Sequence, residues 1–334
     1  MSFGLLIVAL IVILIAAEIF TNALEHLGER LKISEGVTGS IFAAVGTAMP
    51  EAMVPIVAVL SSADNPKLGE EVGVGAILGA PLMLSTLTLF LMAIFAAQKR
   101  GWQGSFTPEK VGLQRDLNWF LLAFGISVAA IFIPHTNQLM RGTIAITLVL
   151  CYFVYIMVTI RASAKLVEDG HGTEADGQMF MQRLKLPVNL FTILLQVGIG
   201  LSLIVVGAKM FVVGVEDISH AWGISALVLS LLIIPVATEL PEKINSIIWI
   251  RRNRDTLAFG NITGAMVFQG SLLPALGIML TPWEPRFEVV LGMVLTLVAT
   301  SYLVLMLRRG TLRPIHLVFN GVCYAAYFIT LTRG

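Results

Sequence analysis

Charged residues are scarce in this sequence. Lys, Arg, Asp and Glu make up 13% of the 334 residues, 57% of the residues are hydrophobic, and the mean hydropathy is +0.87. Soluble domains contain roughly 25% charged residues, so the shortage excludes an ordinary soluble domain. We predict an all-α membrane protein that crosses the bilayer many times.

Cysteine and clustered histidine are nearly absent as well. The two cysteines, Cys151 and Cys323, lie in apolar runs, and we interpret them as reduced core residues. The five histidines are scattered and show no ligand spacing. A disulfide framework and a zinc or copper site are therefore excluded, and we expect no cofactor.

Runs of about 20 apolar residues predict ten transmembrane spans. Their approximate ranges are 3–24, 35–61, 69–97, 117–134, 140–161, 188–214, 223–250, 256–281, 287–307 and 314–331. The polar segment 162–187 divides them five and five. The predicted units are thus a first repeat at 1–161, a linker at 162–187 and a second repeat at 188–334.

Lysine and arginine are distributed unequally between the loops. Sixteen lie in one set, which includes the 162–187 linker, and four lie in the other, namely Lys67, Arg141, Arg286 and Arg333. The positive-inside rule then places the linker in the cytoplasm and both termini outside, in the inner or plasma membrane. Since each half has an odd number of spans, the halves are inverted relative to each other.

One short stretch occurs twice. Residues 44–51 read Ala-Val-Gly-Thr-Ala-Met-Pro-Glu and residues 235–242 read Pro-Val-Ala-Thr-Glu-Leu-Pro-Glu, so Thr47 and Glu51 recur 191 positions later as Thr238 and Glu242. An acid at bilayer depth costs roughly 2.5–3.5 kcal/mol. Two such acids at matched positions of inverted repeats are typical of a transporter site at the membrane midplane.

The repeated stretch has the chemistry of a hard-cation site. Pro50 and Pro241 lack an amide hydrogen, so we expect each helix to break just before them and to free backbone carbonyls. Each threonine lies four residues before its glutamate, and the two therefore share a helix face. Carboxylate, hydroxyl and carbonyl oxygens are the ligands that Ca²⁺ prefers. Repeated glycines at 75, 79, 260 and 264 predict close approach of the third and eighth spans.

These stretches resemble the two alpha repeats of the cation/calcium exchanger superfamily. Its sodium/calcium exchangers carry Gly-Thr-Ser-x-Pro-Glu in the second and seventh spans and Gly-Ser-Asn in the third and eighth. The resemblance implies ten helices in two inverted repeats, alternating access by sliding of the first and sixth helices, and four central sites for Na⁺ and a divalent ion. The positions that depart from the family pattern are Ala48, Ala80, Leu84, Glu239, Ala265 and Gln269.

We therefore predict an antiporter that exchanges a divalent cation, with Glu51 and Glu242 as its central ligands. Thr47 and Thr238 would contribute oxygens. Glu239 and Gln269 would line the cavity and set selectivity. Asn261 would support helix packing or accept a hydrogen bond at the ion site. Glu239 could instead bind the divalent ion directly, or pair with Lys209 or Lys243.

Several alternatives stay open in the sequence. The lost family serines and the added acid favour protons as counter-ion, because like charges held close repel one another, while Na⁺ remains the other candidate. Ca²⁺ leads by family resemblance, with Mg²⁺ or Mn²⁺ as alternatives. A passive cation channel or sensor is a second class of function, and an enzyme is not expected.

The predicted partners are inorganic cations and the bilayer, with no nucleic acid. Oligomeric state is not specified.

Overall fold

The computed structural model of the protein describes residues 2–30, 49–61, 66–168, 177–183, 185–223 and 225–333. Within these ranges the regular secondary structure is helical, with turns and loops between the helices and one isolated antiparallel bridge, Phe106 to Leu312. The α-helices in chain order are α1 (Ser2–Arg30), α2 (Met49–Ser61), α3 (Pro66–Met83), α4 (Leu89–Arg100), α5 (Lys110–Ala130), α6 (Gln138–Glu168), α7 (Phe180–Arg183), α8 (Leu190–Trp222), α9 (Ala226–Thr238), α10 (Leu240–Arg251), α11 (Asp255–Leu280), α12 (Phe287–Arg308) and α13 (Pro314–Arg333). A π-helical turn, Leu84–Thr88, joins α3 to α4 without a break.

Several helices have the dimensions of membrane spans. Among the described residues, six are long and apolar enough to cross a bilayer: Pro66–Arg100, Gln138–Ala162, Leu190–Trp222, Asp255–Leu280, Phe287–Arg308 and Pro314–Thr332. A shorter apolar helical stretch covers Gly4–Phe20. The all-helical membrane architecture is thereby confirmed, and the count of ten spans in two inverted repeats stays a prediction.

The fourth predicted span begins earlier than its apolar run. The run starts at residue 117, but α5 starts at Lys110, where the Glu109 carboxylate caps the helix by accepting hydrogen bonds from the amides of Val111 and Gly112. Hydropathy alone cannot detect these seven residues, about two helical turns, because they include charged side chains. One of them, Asp116, is buried by contacts with other helices.

Helix α11 is the most enclosed of the six spans. It packs against α3, α5, α6 and α10, while α9 packs along α3 and α10 touches α4. Gly75 and Gly79 on α3 make the α9 contact possible, because a Cβ atom at Gly79 would lie 2.6 Å from the Leu231 carbonyl oxygen. The structure thus places the glycines of the third span against α9, the helix that leads into the second repeated motif, and not against the eighth span as predicted. A Cβ atom at Gly260 in the eighth span would meet no atom within 4 Å.

Helices α1 and α8 pack together through small residues spaced seven apart. Gly200, Gly207 and Gly214 on α8 face Phe20, Ile13 and Leu6 of α1, respectively. The residues 191 positions before the three glycines are Ala9, Ala16 and Ala23, and all three are fully buried. The contact surface therefore repeats the internal duplication.

Adding a methyl group at Gly200 is expected to force α1 and α8 apart. A Cβ atom there would lie 2.8 Å from Phe20 Cβ and 3.0 Å from Phe20 Cα, so backbone must move. Gly200→Ala should lower the free energy of unfolding by about 1–3 kcal/mol. The matched control is Gly198→Ala on the same helix, where no atom lies within 4 Å and the better helix propensity of alanine should add about 0.5–1 kcal/mol. Thermal unfolding in detergent measures both, and equal effects would contradict the close helix contact.

Candidate cation-binding site

The second repeated motif lies at an interruption between two helices. Helix α9 ends at Thr238, Glu239 forms a turn with φ −88° and ψ 6°, and α10 begins at Leu240. Pro241 lies in the first turn of α10, where its missing amide hydrogen is tolerated and fixes the start of the new helix. The break predicted just before Pro241 is confirmed. Its counterpart before Pro50 falls on residues 31–48, outside the described residues.

The interruption buries two acids. Glu239 and Glu242 are both 0% exposed, and Glu242 belongs to the first turn of α10. The amino end of a helix carries a partial positive charge, which stabilises carboxylates placed beside it. The start of α10 thus holds negative charge inside the protein, at a position where a cation can be bound.

Lys243 is the buried cation nearest to these acids in the sequence. Its Nζ lies 3.1 Å from Oε2 of Glu239 and 2.9 Å from the carbonyl oxygen of Pro235, and both side chains are almost inaccessible. Of the two lysines considered as partners for Glu239, the structure selects Lys243. Lys209 is exposed on α8.

Asn261 on α11 faces the amino end of α10. Its side-chain nitrogen donates to the Glu242 carbonyl oxygen at 3.3 Å and to Ser246 Oγ at 3.1 Å. Asn261 is buried, and its Oδ1 meets no hydrogen-bond donor among the described residues. Gln269 lies on the same helix roughly 12 Å further along its axis and is also fully buried. The Asn261 contacts agree with the packing role, and its free oxygen keeps the ligand role open.

Three predicted site residues are described incompletely. Thr47 lies outside the described residues, and for Glu51 and Thr238 the structure describes the backbone in α2 and α9 but not the side chain. Among the described side chains, no group of three or more His, Cys, Asp or Glu residues converges on one point. The full convergence of Glu51, Glu239 and Glu242 therefore stays a prediction.

A buried acid outside the motif escaped the sequence analysis. Asp116 on α5 accepts hydrogen bonds from the Tyr155 hydroxyl at 3.1 Å and the Thr263 hydroxyl at 2.9 Å, and Arg115 lies 3.4 Å away. These contacts tie α5 and α6 to α11, two residues from Asn261. Asp116 stands in a charged stretch before an apolar run, which is the usual pattern of a loop, so no sequence signal could reveal it.

A helical membrane protein with an interrupted span and buried acids at the interruption belongs to the class of membrane transporters. The sequence model of one family, described as "Sodium/calcium exchanger protein", matches residues 1–161 and 192–333. The chain belongs to this family. It is therefore a membrane transport protein of the exchanger type and not an enzyme.

Individual proteins agree with this membership. The inner membrane protein YrbG of Escherichia coli (strain K12) is 26% identical over 283 residues, covering 84% of this chain and 80% of YrbG. The sodium-calcium exchanger NCX_Mj matches in structure with a TM-score of 0.64 at 19% identity, over 98% of each chain. The H⁺/Ca²⁺ exchanger CAX matches with a TM-score of 0.75 at 14% identity, over 99% of this chain and 82% of that one. At these identities the structural matches show a shared fold.

Proposed function

We propose that this protein is a secondary active antiporter that exchanges a divalent cation, Ca²⁺ in the first place, for Na⁺ or H⁺. The observation that carries the proposal is the helix interruption at Glu239, which buries Glu242 in the first turn of α10. A carboxylate at a helix break between membrane spans offers hard oxygen ligands that suit a divalent cation. Family membership makes a transported cation the natural occupant.

The proposed ligands come from both repeats. Glu242 and its sequence counterpart Glu51 supply the central carboxylates, and Thr238 and Thr47 supply further oxygens. Such oxygens suit hard divalent cations. Gln269 and Asn261, both buried on α11, would line the cavity and adjust its selectivity.

The transport cycle would follow from the inverted duplication. Two five-helix repeats in opposite orientation can open the same central site to either side of the membrane in turn. The charge bias of the loops favours an inner or plasma membrane location with both termini extracytoplasmic. The relative YrbG is named as an inner membrane protein, which supports this location.

The counter-ion of the proposed exchange is either Na⁺ or H⁺. NCX_Mj is named as a sodium-calcium exchanger and CAX as an H⁺/Ca²⁺ exchanger, so the structural relatives include both kinds of coupling. The family's motif serines are replaced here by Ala48 and Glu239, which favours protons. The transport experiment therefore has to compare a Na⁺ gradient with a pH gradient.

Uptake into proteoliposomes tests the function. We expect Ca²⁺ to accumulate against its own gradient when either a Na⁺ gradient or a pH gradient is imposed, and to stop when that gradient is removed. Mg²⁺ and Mn²⁺ in parallel vesicles identify the preferred divalent ion. Uptake that only follows the divalent gradient, with no need for a counter-ion, would show a passive channel and overturn the proposal.

A further inference from the structure

The ammonium group of Lys243 is fully engaged inside the protein. An ammonium has three hydrogens to donate, and its neighbours are Glu239 Oε2 at 3.1 Å, the Pro235 carbonyl oxygen at 2.9 Å and Met83 Sδ at 2.9 Å. Only 6% of the side chain is exposed. The charge is therefore held at one point and cannot be solvated by rotating outward.

The groups around the Lys243 ammonium are of the kind that bind a cation. The Pro235 carbonyl belongs to the last turn of α9, the end of a helix that carries partial negative charge. Glu239 adds a carboxylate oxygen from the interruption itself. Met83 reaches it from α3, so both halves of the chain contribute to the same point.

The acid and its lysine occur together in only one of the two repeats. At the 191-residue offset, Glu239 corresponds to Ala48 and Lys243 corresponds to Ala52. One repeat thus has both charges and the other has neither, whereas the motif glutamates Glu51 and Glu242 are present in both. The pair changes no net charge, but it places a cation close to one of the two duplicated acids.

We propose that Lys243 is a tethered cation that fills one monovalent-cation position of the exchange site, so that Glu239 is occupied by the protein's own ammonium. The cation position beside Glu239 can be tested by binding alone, whereas its role in ion exchange rests on the proposed function. In the unmodified protein Glu239 would take no transported ion. Removing the lysine would open the position to Na⁺ or K⁺.

An ordinary structural ion pair predicts something different. Removing one partner of a buried pair destabilises the protein in either case, because a charge is left without compensation. If the pair is only structural, no small cation can take the place of the ammonium, and added Na⁺ acts on all variants alike. If the point is a cation position, Na⁺ restores stability specifically when the lysine is missing and the acid remains.

The experiment compares Lys243→Met with the double variant Glu239→Ala/Lys243→Ala, which reproduces the Ala48 and Ala52 of the first repeat. Thermal unfolding of the purified protein in detergent is followed in NaCl, KCl and choline chloride at equal ionic strength. We expect Lys243→Met to unfold early in choline and to gain about 5 °C or more in NaCl or KCl beyond the gain of the unmodified protein. The double variant should respond to salt as the unmodified protein does.

Equal salt responses of all three proteins would overturn the inference. If Lys243→Met does not fold, Lys243→Gln replaces it, because its amide can still donate to the Pro235 carbonyl, and the same comparison decides. The readout does not require transport. If the unmodified protein transports divalent ions but Lys243→Met shows no extra stabilisation by Na⁺ or K⁺, only this inference is rejected. If Lys243→Met is stabilised by these ions but the unmodified protein transports no divalent ion, the proposed exchange is rejected and the cation position is kept.

Discussion

Glu242→Gln is expected to abolish divalent-cation flux while the protein stays folded. The amide keeps the shape of the side chain but removes the negative charge that a divalent ion needs at the start of α10. Changes to groups that only support metal ligands typically cost 10–100-fold in affinity, so loss of a central ligand should reduce flux by about 100-fold or more. Replacing a fully buried carboxylate by a neutral amide also removes the cost of burying charge, which favours retention of the fold.

Flux is measured in proteoliposomes under the gradient that drives the unmodified protein, and unfolding in detergent confirms that the variant is folded. Glu288→Gln serves as the matched control, since Glu288 lies in the first turn of α12 and outside the repeated motif. We expect near-normal flux from this variant. A folded Glu242→Gln protein with normal flux would remove Glu242 from the proposed site. The same substitution at Glu51 tests the symmetry of the two repeats.

Arg141→Met is expected to produce a large loss of stability without any direct effect on the site. Arg141 is fully buried on α6 and donates to the carbonyl oxygens of Ile278, Thr281 and Pro282, at the carboxyl end of α11. It thereby satisfies carbonyls that the helix leaves without partners and neutralises the negative helix end. Each buried carbonyl left without a donor costs about 1–3 kcal/mol, so loss of the donor to three carbonyls should lower the free energy of unfolding by about 3 kcal/mol or more.

Arg286→Met provides the comparison for this loss. Arg286 pairs with Glu71 at 2.9 Å, but its side chain is 38% exposed. Because exposed ion pairs contribute about 1 kcal/mol or less, this variant should unfold close to the unmodified protein. Denaturation in detergent measures both variants under the same conditions. Similar losses for the two arginines would contradict the role of Arg141 as the partner of α11.

The helix interruption at the candidate site could be predicted because its signal is local. A proline lacks the amide hydrogen that a helix interior needs, so Pro241 predicts an interruption from the sequence alone. An acid inside an apolar run is costly in any membrane fold, which identified Glu242. The acid at 116 shows the limit of such reasoning, because its burial depends on Tyr155 and Thr263 from two other helices.

The sequence by itself determined that this is a helical membrane protein of the sodium/calcium exchanger family with a duplicated Thr and Glu motif. Hydropathy and proline chemistry depend on a few neighbouring residues, and the repeat is found by aligning the two halves of the sequence. Only the tertiary structure decided that the Lys243 side chain is buried and reaches Met83, 160 positions away, and that Arg141 completes the end of α11. Such contacts depend on which helix faces meet, and no local rule specifies that.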